Sequence, residues 1–435
     1  MESLNREVMR LALPAFGALV APSILLLTDA AFIGTLGTQA LAGYAGGAAV
    51  FGVAAGLSYF LAYSSTSVVA RRFGANQPRE AVAEGINYIT LGLIIGVIVG
   101  AIMWIFAGTF AQWIGISPDV LPSAIDWLRG AAFGSPGMMA SMAAIGMFRG
   151  LQDTRITLFV TVMQVAFNIA LCAVFIFTLH LGTFGAGLAV GISETVGFLM
   201  YFVVIAKHAR SIHAPFHPTH LHGLANAFKV GLPLLWRSAT LRTVLLGTTV
   251  VAAHLGDDEL AAFHVSLMVW YVLANLLDAL AVAAQAMIGR RLGASQGHLV
   301  HDVVTRLLRL SWWYGLIVGG ITMLLAPIAP QVFSQQTDVQ HLLMVCLLMI
   351  GVHQPLAATV FLLDGVLTGS GDSKFIAFVL TMAMLTFLPM AWAVLHWNWG
   401  VVGLWSAMIA FLTTRAVLML KRARSDAWVI EGAVR

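Results

Sequence analysis

The 435-residue chain is 60% apolar and only 10% charged, with a mean hydropathy of +0.90. Soluble domains are about 25% charged and about 45–50% apolar, so a water-exposed surface of this size has too few polar side chains to cover it. A net charge of +4 would otherwise raise nucleic acid as a partner, but the basic residues fall in short loops on one side of the pattern, and a membrane accounts for them.

A helix crossing about 30 Å of hydrocarbon needs roughly 20 mostly apolar residues. In chain order such stretches lie near 10–34, 41–70, 82–108, 121–148, 155–180 and 184–206, then 227–254, 260–289, 303–328, 341–367, 374–396 and 400–420. Runs this long, without period-two alternation, are helices and not barrel strands. The expected fold class is therefore an all-α membrane protein with twelve transmembrane helices. The first apolar stretch is too long for a cleavable signal segment and reads as a retained span. Cys172 and Cys346 sit in apolar runs and offer no disulfide framework or metal cluster.

Most of the 23 Lys and Arg residues share one side of this pattern, from Arg6, Arg10, Arg71 and Arg72 to Arg290, Arg291, Lys421 and Arg422. The opposite loops carry Asp119, Asp257, Asp258, Glu259 and Asp338. By the positive-inside rule both termini are cytoplasmic.

The two halves repeat each other. Leu13-Pro14 recurs as Leu232-Pro233, Arg71-Arg72-Phe73-Gly74-Ala75 as Arg290-Arg291-Leu292-Gly293-Ala294, and Gly150-x-x-Asp153 as Gly369-x-x-Asp372. Each landmark is displaced by 219 positions (372 − 153). The expected organisation is an N-terminal lobe over 1–206, a cytoplasmic linker over 207–226, and a C-terminal lobe with a cytoplasmic tail over 227–435. Six spans per lobe give both lobes one orientation, with a pseudo-axis along the membrane normal. The linker histidines, among them His208, His213, His217, His220 and His222, read as a hydrated connection and not as a metal site.

Charged groups at membrane depth cost roughly 2.5–3.5 kcal/mol each on insertion scales, and they usually face a cavity or a partner. Asp29 lies seven residues after Pro22, where a missing backbone donor should kink the helix. A carboxylate there can take up and release a proton, or can be permanently capped by neighbouring hydroxyls. Gln164 and Asn168, one turn apart in the fifth span, could present amides to Asp29 or simply tie helices together. Glu194 is the second proton-site candidate. Arg237 and Asp278 reach similar depth from the cytoplasm and are the expected buried ion pair, more architectural than substrate-binding. Arg242 is deeper and without an obvious partner; Asp364 lies nearer the cytoplasmic surface. Glycines at fourfold spacing, Gly92, Gly96 and Gly100, suit close packing within a lobe.

No phosphate-cradling Gly-rich loop ending in Lys-Ser or Lys-Thr occurs, which disfavours ATP-driven transport, and no His-Glu-x-x-His appears. A membrane-embedded transferase needs paired acids or a His–acid set at one depth, and a channel wants continuous polar rings. Neither pattern is present, so the chain is not expected to be an enzyme.

The segments Leu11-Ala12-Leu13-Pro14 and Thr28-Asp29-Ala30-Ala31-Phe32-Ile33-Gly34-x-x-Gly37, with the two basic loops above, resemble the multidrug and toxic compound extrusion (MATE) transporters. Leu234-Leu235-Trp236-Arg237-Ser238, Leu277-Asp278, Phe361-Leu362-Leu363-Asp364-Gly365 and Ser193-Glu194 look like its DinF branch. The resemblance implies a V-shaped pair of six-helix lobes that exports amphipathic, often cationic compounds against inward proton or sodium flow. It places the family's first-span aspartate on Asp29 and its fifth-span asparagine on Asn168. Cys172 stands where several relatives carry a second acid, and Gln285 where the branch has one. The seventh span carries arginines instead of the cation-binding acid of other branches, which argues for protons over sodium.

The resulting expectation is a proton-coupled efflux antiporter of the plasma membrane working by alternating access, in which protonation of Asp29 drives substrate release. It needs no cofactor, no metal and no nucleic acid; its partners are small amphipathic substrates and membrane lipids, and it acts as a monomer. A lipid-linked precursor flippase of the same superfamily is the alternative, favoured only by Arg237 and Arg242.

Overall fold

In hydrocarbon every backbone N–H and C=O must be paired within the segment, so continuous apolar runs fold as helices. The computed structural model describes residues 2–213 and 221–434. Twelve long helices follow in order: α1 (Glu2–Gly34), α2 (Thr38–Gly74), α3 (Pro78–Ile105), α4 in two arms (Leu121–Ala132 and Ser135–Gly150), α5 (Thr154–Ala173, continued by a π turn, Val174–Thr178) and α6 (Gly182–Ser211). Then come α7 (Leu221–Leu255), α8 (Asp257–Gly293), α9 (Gly297–Leu325), α10 (Thr337–Gly369), α11 (Ser373–Trp397) and α12 (Gly400–Ala423). Each expected span falls on one of them. Ten are long and apolar enough to cross a membrane, and the two arms of α4 make an eleventh crossing. The remaining helix, α7, is 35 residues long and carries Lys229, Arg237 and Arg242. His217 and His220 of the linker lie outside the described residues, and no group of three or more His, Cys, Asp or Glu among the described residues is placed to hold a metal.

The chain divides into two compact units, Met1–Leu235 and Trp236–Ala433, with the boundary inside α7. The internal repeat is carried by backbone conformation as well as by motif. Gly37 (φ 114°) opens α2 and Gly256 (φ 141°) opens α8, a region that only glycine enters without strain. The turns after α2 and α8 pass through Asn76 (φ 58°) and Ser295 (φ 54°), and those after α4 and α10 through Gln152 (φ 63°) and Gly371 (φ 75°).

Packing within each unit repeats too. On α3, a Cβ at Gly92, Gly96 or Gly100 would lie 2.7, 2.5 or 2.8 Å from α4 backbone at Met139, Pro136 or Ala132. The corresponding α9 positions, Ser311, Gly315 and Gly319, meet α10 at Ala358, Pro355 and Gly351. The glycine stripe therefore serves contact inside the unit.

One element departs from the expected single span. The arms of α4 meet at 52° around Phe133 and Gly134. Pro136 has no N–H to offer the carbonyl four residues back, and Gly134 beside it carries no side chain to hold the helix straight. By contrast α1 runs unbroken through Pro14 and Pro22.

Candidate functional site: two buried polar centres

In the N-terminal unit, α1 brings Asp29 against α5 and α6 with only 2% of its surface exposed. Its partners are neutral. The Asn168 amide, 0% exposed, is oriented by its hydrogen bonds. With Nδ2 toward α1 it donates to Asp29 Oδ1 at 3.1 Å, while its oxygen accepts from Ser193 Oγ and the Val190 N–H, each at 3.2 Å. The opposite amide orientation, with Nδ2 on Ser193 Oγ at 3.2 Å and Ser193 donating to the Val190 carbonyl at 2.9 Å, sets the amide oxygen against Asp29 and is satisfied only when that carboxyl carries a proton. The fully buried thiol of Cys172 faces the carboxylate. Tyr44 closes the pocket from α2: its hydroxyl donates to the Leu26 carbonyl at 3.2 Å and its ring packs edge-on to Trp127 at 5.5 Å. Among the described residues no cationic side chain pairs with Asp29.

Gln164 does not join this pocket. One turn from Asn168, it meets α6 at a different level, where its side chain packs on Gly197 and is the hydrogen-bond partner of Glu194. The helical rise of roughly 5.4 Å per turn separates the two amides enough that each finds its own acid. Below Glu194 the polar path continues to Tyr201, whose hydroxyl donates to the Thr157 carbonyl at 3.4 Å and whose ring stacks on Phe148 at 5.8 Å. The four expected residues thus form two pairs, Asp29 with Asn168 and Glu194 with Gln164.

The C-terminal unit treats its buried charge differently. Arg237 of α7 grips Asp364 of α10 with two nitrogens: Nη2 bonds Oδ2, and Nε donates to Oδ1 at 3.3 Å. Arg415 of α12 reaches the same Oδ2 with Nη2 at 3.4 Å and lies over the Phe411 ring at 5.6 Å. Counting depth from helix ends singled out Asp278, half-buried on α8, as the partner of Arg237. Asp364, which the sequence did not single out for this role, occupies the Arg237 fork. Sequence reasoning does not single out Arg415, although it lies within the 400–420 span; its flanks, Leu412-Thr413-Thr414 and Ala416-Val417-Leu418, are the available signal.

A second C-terminal cluster surrounds His353, which stacks between Trp270 and Trp405 at centroid distances of 5.3 and 5.9 Å. Trp405 Nε1 in turn donates to Ser266 Oγ at 3.2 Å.

Two units built on one repeated helical pattern, each with a polar centre enclosed by membrane spans, define an internally duplicated multi-pass membrane transporter. The chain belongs to the MatE family, whose model matches residues 14–174 and 233–393, one match in each repeat. It is a transporter and not an enzyme. Protein DETOXIFICATION 43 of Arabidopsis thaliana is 28% identical over 481 residues, covering 97% of this chain and 90% of that protein. DNA damage-inducible protein F of Escherichia coli is 25% identical, covering 98% of this chain and 95% of that protein. Among solved structures, the fold is shared with a MATE crystal structure in the bent conformation at a TM-score of 0.88 and 21% identity, over 97% of this chain and 95% of that one. A Vibrio cholerae MATE transporter matches equally well, with a TM-score of 0.88 and 18% identity over 99% of both chains.

Proposed function

We propose that the protein is a secondary active efflux antiporter for small amphipathic compounds, coupled to protons through Asp29, with both termini cytoplasmic. The observation that carries the reading is the neutral company of Asp29. A buried carboxylate without a cationic partner is costly as an anion, and the charge-balancing partner left to it is a proton.

The two orientations of Asn168 supply a mechanism. The ionised carboxylate only accepts, and takes Nδ2–H from Asn168. Once protonated, its O–H must donate, and the amide oxygen of Asn168 becomes the better face to receive it. The turned amide then gives Nδ2–H to Ser193, whose hydroxyl moves to the Val190 carbonyl. Proton uptake at α1 is thereby felt at α5 and α6, and Pro22, which leaves one carbonyl of the unbroken α1 without its helical donor, is where α1 can flex. The seventh-span arginines, in place of an acid, favour protons over sodium.

The test is transport in proteoliposomes with an imposed pH gradient and no sodium, following ethidium for wild type and Asp29→Asn. Movement that requires both the gradient and Asp29 is expected. Full gradient-driven efflux by a folded, inserted Asp29→Asn protein would sink the reading and move the coupling site to Glu194.

A further inference from the structure

Arg242 is a charged residue in the spans that neither polar centre absorbs. It lies half-buried on α7, thirteen residues (255 − 242) before the helix ends at Leu255. At ~1.5 Å per residue that is about 20 Å from the end, well inside the membrane. Among the described residues it makes no hydrogen bond or ion pair; its one recorded interaction is electrostatic, with the phenol of Tyr271 on α8. No acid does for Arg242 what Asp364 does for Arg237 and Arg415 among the described residues.

The neighbouring face of α8 is unusual for a helix in lipid. His264, Met268 and Tyr271 are exposed, and Asn275 and Asp278 half-exposed, at intervals of four, three, four and three. That spacing puts them on one face, whereas residues 279–289 of the same helix are buried. Histidine, tyrosine and asparagine aligned on an outward face of a spanning helix belong against water or solute and not against acyl chains. Arg242 comes 14 residues before Gly256 (256 − 242) and Tyr271 15 after it (271 − 256), so across the α7–α8 hairpin the two reach the same level, at the middle of this stripe.

We propose that Arg242, with the α8 stripe of His264, Tyr271 and Asn275, is a binding site for the anionic group of an amphipathic solute, a carboxylate above all. This assigns a substrate class and rests on the transporter reading above. The guanidinium offers a planar fork of donors that matches a carboxylate, Tyr271 and Asn275 add neutral donors, and Met268 lends an apolar contact for the solute's body. Arg242 lies near mid-span, so a lipid headgroup would have to leave the interface by on the order of 10–15 Å to reach it.

Binding of dansyl-aminoundecanoic acid and of its methyl ester to the full-length protein in detergent separates the possibilities, because the two probes differ only in charge. Wild type should bind the acid roughly tenfold more tightly than the ester, equivalent to about 1.4 kcal/mol. Arg242→Gln should erase that preference while leaving ester affinity unchanged, and Arg242→Lys should keep most of it. Equal affinity of wild type for acid and ester, or a preference that survives Arg242→Gln, overturns the proposal. If the Gln variant does not fold, the wild-type comparison and the Lys variant decide alone. Equilibrium binding needs no gradient, so Asp29→Asn should retain the acid preference even where it loses transport, which keeps a failure of this site distinct from a failure of proton coupling.

Discussion

The two units share helix order, turn conformations and glycine packing, yet they handle buried charge in opposite ways. In the first, Asp29 is surrounded by an amide, a thiol and hydroxyls. In the second, Asp364 is clasped by two guanidinium groups from different helices. At positions displaced by 219, the first unit has Ala18 opposite Arg237 and Ile145 opposite Asp364, and the second has Thr248 opposite Asp29 and Phe387 opposite Asn168. Duplication preserved the scaffold, because backbone pairing and helix packing tolerate little change, while interior side chains diverged into one acid among neutral groups and one clasped by two arginines.

The same lesson appears at a proline. Pro136 and Pro355 are repeat equivalents, and each removes one helical hydrogen bond. Where Gly134 precedes by two, α4 breaks into arms at 52°. Where His353 stands in that place, braced between Trp270 and Trp405, α10 runs unbroken from Thr337 to Gly369. Side-chain packing two residues away decides whether the missing bond becomes a break.

This contrast can be broken from either side. The largest stability effect is expected at the fixed charge: Asp364→Ala strands Arg237 and Arg415 and should cost about 3–5 kcal/mol, read as a lowered Tm in detergent or loss of monodisperse protein. Asp29→Asn removes no such pair and should leave Tm within a few degrees of wild type; a loss of stability as large as that of Asp364→Ala would erase the distinction. Its effect belongs to coupling. Proton and substrate compete in an antiporter, so substrate binding by wild type should weaken as pH falls, whereas Asp29→Asn, neutral at every pH, should bind with little pH dependence. A titration of affinity against pH for both proteins checks the sign.

Smaller effects sharpen the picture inside the N-terminal unit. Asn168→Leu deletes the group that reads the protonation state of Asp29, and transport should fall about tenfold with binding retained; the loss of a hydrogen bond to a charged group is of order 1.5–3 kcal/mol. Gln164→Leu touches only the Glu194 pair and should change initial transport rates by roughly twofold or less, since neutral polar ties between spans average about 0.6 kcal/mol. Comparable losses for these two variants would mean that the Asp29 and Glu194 pairs act as one site.

Much of the architecture was legible without coordinates. The twelve apolar runs, the 219-residue repeat and the glycine stripe at Gly92, Gly96 and Gly100 follow from constraints that act locally: the thickness of hydrocarbon, the pairing of backbone groups and the width of a helix contact. Asp29 and Asn168 stood out as site candidates for the same reason, since a polar residue in such a run is conspicuous. Partnership was another matter. That Gln164 serves Glu194, that Cys172 touches Asp29, and that Asp364 receives both Arg237 and Arg415 depend on helix rotation and on the reach of side chains between segments far apart in sequence. Composition determined that charges lie buried in this membrane protein; only the packing of one helix against another decided which acid meets arginines and which sits among neutral groups.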